Sequence, residues 1–298
     1  MKPSLYKEFL GALTKHGLTK IQAGIVLEEY GETQDLSALP SLLERLKLRK
    51  GAVKTISSQG AIVYLEGNRE LGQIAADKAV KLAITKAKQY GIGMVGLRNI
   101  LSFSHPGTYA EKLAANNLFG LVMIDGGRAM VTHPDSPEPV IGTNPIAFGM
   151  PTSQGPWVVD MATSKNAWAK VRKALEKNSK LPAATYKTKA GKFTQNSKEA
   201  FSVTPFGDYK GFALGMLVEI LCGGMFDMAM GKNKKPKNYL LAFKGAVFIA
   251  IDLGRFTSIS KFKNKTSKFI KEVKSSRRNA GVKKIRIPGE SSLSHARN

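Results

Sequence analysis

Four histidines, His16, His105, His133 and His295, are the side chains best suited to moving protons near neutral pH, because an unperturbed imidazole has a pKa of ~6.5. Their spacing matches no metal-ligand pattern. Cys222 stands alone in an apolar stretch, so an intrachain disulfide is excluded and no metal site is expected. It reads as a small buried hydrophobe. His105 precedes Pro106-Gly107 and reads equally as a surface histidine before a turn. Asp160 closes an apolar run, where it could orient a proton donor or cap a following helix. Lys210 offers a point charge suited to a phosphate, and Gly211 lets backbone approach a ligand closely. No Gly-x-Gly-x-x-Gly follows a strand, and neither a Walker A loop nor a Gly-x-Ser-x-Gly elbow is present. A Rossmann phosphate loop is therefore not supported.

The elements that must position these residues follow from periodicity and punctuation. Ser4–His16, Thr19–Glu32 and Ser37–Arg49 read as helices, with Ser4 and Thr19 as N-caps. Val53–Ile56 and Ala61–Tyr64 read as strands around Ser57–Gly60. Leu71, Ile74, Ala75, Ala79, Leu82 and Ala83 recur at helical spacing up to Gly91, a stop signal. A strand is expected at Ile92–Leu97, a helix from Thr108 to Asn117, and a strand buried on both faces at Leu118–Ile124. Pro- and Gly-rich loops follow, then a strand at Trp157–Val159, an apolar helix at Gly211–Leu221, a strand at Val247–Ile251 and a basic helix at Lys261–Lys274. Helices alternating with strands place the chain in the α/β class.

The length of 298 residues is enough for one large or two interleaved domains. No apolar run is expected to reach the ~18 residues that span a bilayer. Met1–Gly17 lacks the apolar core of a secretory signal, so a reducing, cytoplasmic location is the expectation. The net charge of +24 is uneven, with 17 Lys/Arg against two acids between Gly231 and Arg286. Such a field attracts phosphorylated ligands, nucleic acid or anionic membranes. No nucleic-acid-binding signature accompanies it, and neither nucleic acid nor membrane is the expected partner. The run Lys232–Asn238 reads as an exposed loop.

One ordered series of strings carries more. Gly142-Thr143-Asn144-Pro145 is followed by Asp160-Met161-Ala162-Thr163-Ser164, then Lys210-Gly211-Phe212-Ala213-Leu214, Val218-Glu219-Ile220-Leu221, Phe248-Ile249-Ala250-Ile251-Asp252 and Pro288-Gly289-Glu290. In this order the set resembles the malate/L-lactate dehydrogenase family, with its ureidoglycolate and sulfolactate dehydrogenases, diketogulonate reductase and piperideine-carboxylate reductase. The resemblance runs from about Leu18 to the end. It implies a non-Rossmann α/β fold with an N-terminal helical segment, usually an intertwined homodimer. It also implies NAD or NADP as cofactor, and interconversion of a 2-hydroxy acid or cyclic amino acid with its 2-oxoacid or imine. The implied nucleotide-lining residues are Asn144, Asp160, Met161, Ala162, Thr163, Ser164, Lys165, Asn166, Lys210, Gly211, Pro288, Gly289 and Glu290. The implied organisation is a helical segment at 1–52, a substrate and dimerisation domain at 53–120 with 270–298, and a dinucleotide-binding domain at 121–269.

The chain departs from the family pattern twice. Relatives carry Ser-His-Gly and an Arg where this chain has Thr33-Gln34-Asp35-Leu36-Ser37-Ala38, so the cation for a substrate carboxylate is missing there. Relatives also carry His-Phe-Gly shortly after Arg-Asn. An ungapped match to Arg98-Asn99 puts Ser102 at the catalytic histidine and keeps Gly107 and Tyr109 in place. A shifted match puts His105-Pro106-Gly107 on the motif. Ser102 is a poor general acid near neutrality, and loss of acid catalysis costs ~10²–10⁴-fold. The expected catalytic set is therefore His105 as proton donor, with Asp160 orienting it and Ser102 as the residue replaced.

Overall fold

The computed structural model describes residues 3–33, 39–234 and 243–290. In chain order the elements are α1 (Pro3–Lys15), α2 (Lys20–Thr33), α3 (Leu39–Leu48), β1 (Lys54–Gln59), β2 (Ile62–Glu66), α4 (Gly72–Tyr90), β3 (Ile92–Ile100), α5 (Pro106–Ala115) and β4 (Leu118–Ile124). There follow β5 (Val131–Thr132), β6 (Pro139–Ile141), β7 (Ile146–Met150), β8 (Trp157–Met161), α6 (Ala169–Glu176), β9 (Tyr186–Lys187), β10 (Phe193–Thr194), β11 (Ser202–Val203), α7 (Tyr209–Cys222), β12 (Lys244–Asp252) and α8 (Ile259–Ser275). The chain forms two compact units. The first comprises Met1–Val122, Ala147–Asp160 and Phe248–Asn298, and the second Met123–Ile146 and Met161–Val247.

The first unit is built on a seven-stranded sheet of order β1-β2-β3-β12-β4-β7-β8. β1 and β2 form an antiparallel hairpin with a bulge between Thr55 and Ser57, and β2 runs parallel to β3. The expected break after Ile56 is thus inside a strand that continues to Gln59. Thr19 caps α2 through a reciprocal pair: the Gln22 N–H donates to Thr19 Oγ1 at 3.2 Å and the Thr19 N–H to Gln22 Oε1 at 3.0 Å. Ser4 is inside α1 rather than before it. α4 lays a face of small residues, Ala75, Ala76, Ala79, Ala83 and Ala87, into the core. Gly93 lets this helix approach β3: a Cβ there would meet the Ala83 carbonyl oxygen at 2.3 Å. Gly91, in the left-handed region at φ 86°, ends α4.

The second unit holds a five-stranded sheet of order β10-β9-β11-β5-β6. Its core joins Val131, Ile141, Val171, Ala174, Leu181, Tyr186 and Val203. Four of these strands are two residues long, too short for a period-2 pattern; β5 and β6 fall in the stretch that reads as Pro- and Gly-rich loops, and β9, β10 and β11 in a stretch without an expected element. Contrary to expectation, Tyr209–Phe226, α7 and the turn after it, has the length and composition to cross a bilayer. Within the unit, however, α7 carries the buried Glu219, which is hydrogen-bonded to Asn144 and paired with Lys234. That is the behaviour of a core helix with satisfied polar groups.

Candidate active site

His105 is the N-cap of α5, with Pro106 at the first helical position. The helix therefore begins two residues before the expected Thr108. The Gly107 N–H donates to Asp160 Oδ2 at 2.8 Å. Gly107 makes this approach close, since a Cβ there would lie 3.0 Å from the Asp160 Cβ. On its other side His105 meets Glu29 of α2, with Nδ1 at 3.7 Å from Glu29 Oε1. Glu29 is 1% exposed. Its Oε1 accepts from the Ser104 N–H at 2.7 Å and from Gln73 Nε2 at 3.4 Å, and its Oε2 accepts from the Tyr109 hydroxyl at 2.7 Å. Tyr109 is itself set by Phe103 and Phe248, with ring centroids at 4.9 and 6.2 Å.

Asp160 retains exposed surface, yet the protein around it pushes its carboxyl up to about 6. Desolvation is the largest cause, and the Glu29 charge adds to it. The Gly107 hydrogen bond and the attraction of His105 act in the opposite direction. Ser102 is placed differently. Its hydroxyl donates to the Phe103 carbonyl at 2.9 Å, and its own carbonyl accepts from Arg45 at 3.2 Å. The backbone of Leu101–Phe103 lies against Gly72, where a Cβ would be 2.4 Å from the Leu101 oxygen. The first unit thus brings His105, Glu29 and Asp160 together. Glu29 has no signal in the sequence that separates it from its neighbour Glu28.

The expected nucleotide-lining residues divide by what their side chains do. In the second unit Met161 and Lys165 are exposed, and the Lys165 ammonium donates to the Ala184 carbonyl at 2.8 Å. Thr163 and Ser164 are buried and bonded internally, Thr163 Oγ1 to the Thr143 oxygen at 3.1 Å and Ser164 Oγ to the Asn166 oxygen at 2.9 Å. Lys210 is exposed in the first turn of α7, a turn without acidic residues. Gly211 is required by the chain itself, because a Cβ would meet the Phe206 oxygen at 2.0 Å.

Asn144 is fully buried, with φ at 37°. Its Oδ1 accepts from the Gly126 N–H at 2.8 Å, and its Nδ2 donates to the Gly215 oxygen and to Glu219 Oε2, both at 2.8 Å. Glu219 and Asp125 flank Lys234, whose ammonium is 2.6 Å from Asp125 Oδ1. Asn144 therefore holds the Gly142–Pro145 turn to α7. In the first unit the Pro288 oxygen accepts from Trp157 Nε1 at 2.9 Å. Gly289, at φ 85°, passes so close to β8 that a Cβ would be 1.7 Å from the Val158 oxygen. Glu290 accepts from Lys274 at 2.9 Å, lies 3.2 Å from Lys284, and is held down at about 2, chiefly by the Lys274 hydrogen bond. Gln34–Ala38, where the substrate cation is missing from the sequence, and His295 lie outside the described residues. No cluster of three potential metal ligands occurs among the described residues.

Comparison with known proteins gives the chain a family. Residues 11–298 match the malate/L-lactate dehydrogenase family model. A malate/(S)-sulfolactate dehydrogenase of Methanothermus fervidus is 33% identical over 296 residues, covering 94% of this chain and 84% of the relative. A Δ1-pyrroline-2-carboxylate/Δ1-piperideine-2-carboxylate reductase of Pseudomonas syringae pv. tomato is 30% identical, covering 80% of this chain and 70% of the relative. The solved sulfolactate dehydrogenase of Methanocaldococcus jannaschii superposes with a TM-score of 0.86 at 29% identity, covering 98% of this chain and 88% of that one. The chain belongs to the malate/L-lactate dehydrogenase family of oxidoreductases.

Proposed function

We propose that the protein interconverts a 2-hydroxy acid and its 2-oxoacid, or a cyclic amino acid and its imine, with NAD or NADP, on the family's non-Rossmann fold. The grouping of His105 with two carboxylates, in a chain whose relatives are hydroxyacid dehydrogenases and imino acid reductases, carries this reading. A nicotinamide held there would supply the hydride chemistry at the carbonyl or imine carbon, in either direction. His105 gives the accompanying proton to the substrate oxygen or nitrogen. Asp160, ionised, stabilises the imidazolium that must be present beforehand. Ser102 takes no part, since its hydroxyl is committed to the Phe103 carbonyl.

The residues present fit a dinucleotide. The first turn of α7 combines an exposed Lys210 with the positive end of a helix dipole, a setting suited to a pyrophosphate. Met161–Asn166 are assigned to the nucleotide on the second unit and Pro288–Glu290 on the first, each on the strength of the family resemblance, and Asn144 positions its turn without touching the ligand. The basic charge of the C-terminal third is assigned to solvated surface: α8 carries six lysines and none of its residues is buried. A homodimer in the cytoplasm completes the reading.

Thermal melts with NAD, NADH, NADP and NADPH, followed by NAD(P)H oxidation with a panel of 2-oxoacids and cyclic imines, test it. A nucleotide that binds only the native state raises the melting temperature, and Lys210→Ala weakens the shift. Absence of a shift with all four at millimolar concentration overturns the reading. A shift without turnover favours a catalytically inactive homologue, a second reading motivated by the lost cation at Gln34–Ala38.

A further inference from the structure

We propose that Glu29 is the positioning residue for His105, fixing which imidazole nitrogen faces the substrate. This deepens the function proposed above and rests on it. A carboxylate buried to 1% exposure is costly unless its lone pairs are engaged, and Glu29 is engaged on both sides of the residue it serves. The Ser104 N–H and the Tyr109 hydroxyl, one residue before and four after His105, both donate to it at 2.7 Å, with Gln73 of α4 behind. The carboxylate thereby clamps the junction from which the imidazole projects.

His105 Nδ1 lies 3.7 Å from Glu29 Oε1, an ion-pair distance longer than a hydrogen bond. Catalytic contacts of this kind are often long without substrate and tighten on binding. In a neutral imidazole, the nitrogen that carries the proton is set by what the other ring atoms face. A fixed anion beside Nδ1 keeps the proton there and leaves Nε2 to exchange with the substrate. Among the described residues, Glu29 from α2 and Asp160 from β8 act on the ring, with Tyr109 of α5 bonded to Glu29 and Arg45 of α3 donating to the neighbouring Ser102 carbonyl. The two carboxylates are not equivalent. Glu29 is interior and fixed by three donors, whereas Asp160 keeps solvent-exposed surface.

The test is nitrogen-15 NMR of the histidine side chains, combined with the pH dependence of kcat, for the wild type, Glu29→Gln and Glu29→Asp. In the wild type, at a pH where the ring is neutral, His105 is expected as the Nδ1–H tautomer. Glu29→Gln keeps the volume and an acceptor oxygen but removes the charge. It is expected to mix the tautomers, move the kcat profile to lower pH and lower kcat ~10-fold or more, with the nucleotide KM unchanged. Glu29→Asp, which retains the charge, is expected to restore the profile. A folded Glu29→Gln protein with the wild-type tautomer and profile overturns the proposal, even if kcat falls. If that variant does not fold, the wild type decides alone: an Nε2–H tautomer overturns the proposal. The tautomer is read without turnover, so failure to find a substrate counts against the function above and leaves this test intact.

Discussion

The Gly107 N–H donates to Asp160 Oδ2 at 2.8 Å, so the carboxylate lies at the positive end of α5, two residues along the chain from His105. Even so, burial lifts that carboxyl to about 6, above the ~3.9 of an unfolded aspartate. The folded state therefore holds the proton more tightly. The associated stability is complete below pH ~4 and is lost as pH rises through about 6. Relative to Asp160→Asn, the wild type is expected to lose melting temperature between pH 4 and 6 and then run parallel. The exposed surface of Asp160 admits water and keeps the effect small. A wild-type-minus-variant difference that is flat across this range would show that the carboxyl has an ordinary affinity for protons.

His105→Ala is expected to lower kcat by ~10²-fold or more while leaving nucleotide binding nearly intact. Ser102→Ala should cost far less, because the hydroxyl it removes donates to the adjacent Phe103 carbonyl. Steady-state kinetics with the best substrate of the panel separate the two. Activity that survives His105→Ala means that water or another group delivers the proton.

Lys234 is a buried cation between two carboxylates, 8% exposed against a fully buried Asp125. Asp125 Oδ2 has no hydrogen-bond partner among the described residues, and burial pushes this carboxyl up. Lys234→Met leaves Asp125 and Glu219 facing each other without their cation. Breaking such a pair typically costs about 3–5 kcal/mol, to be read as a shift in the urea midpoint. The loss is expected to shrink in acid, where protonation of Asp125 removes the repulsion. A change below about 1 kcal/mol at pH 7 would mean that the pair makes no net contribution.

Legibility in the sequence followed the range of the interaction. α4 and β4 were readable because helical spacing, Gly91 and an unbroken apolar run are local signals. The second sheet was not, because its two-residue strands are defined by partners elsewhere in the chain. Glu28 and Glu29 are adjacent and chemically identical, yet Glu28 pairs at the surface with Lys112 at 2.8 Å while Glu29 is interior. The tertiary placement of Gln73, Ser104 and Tyr109, 44, 75 and 80 residues away, distinguishes them. The Asn144–Glu219 bond, across 75 residues, is similarly silent. Gly211 reads in the sequence as making room for a ligand, but the nearest obstacle to a side chain there is the Phe206 carbonyl.

The exposed side of α7 is the clearest prediction about assembly. Met216, Leu217, Ile220 and, just past the helix, Met225 are 46, 45, 51 and 44% exposed. On the helix they recur at a spacing that makes one stripe. Apolar patches of this kind mark interaction surfaces on soluble proteins. The stripe belongs to the segment long and apolar enough to cross a bilayer, so a second copy of the chain and a lipid surface make opposite predictions. A homodimer is expected: sedimentation at micromolar concentration should give twice the chain mass, and Ile220→Lys, which puts a charge in the middle of the stripe, should yield monomer without loss of helical circular dichroism. Glu219, one residue away, is already committed to Asn144 and the Gly231 N–H at 2.8 and 2.7 Å, so a charge added on the outer side leaves that buried network intact. A wild type that sediments as a monomer at every concentration refutes the dimer. Co-sedimentation with neutral phosphatidylcholine vesicles, abolished by Ile220→Lys, would instead assign the stripe to lipid.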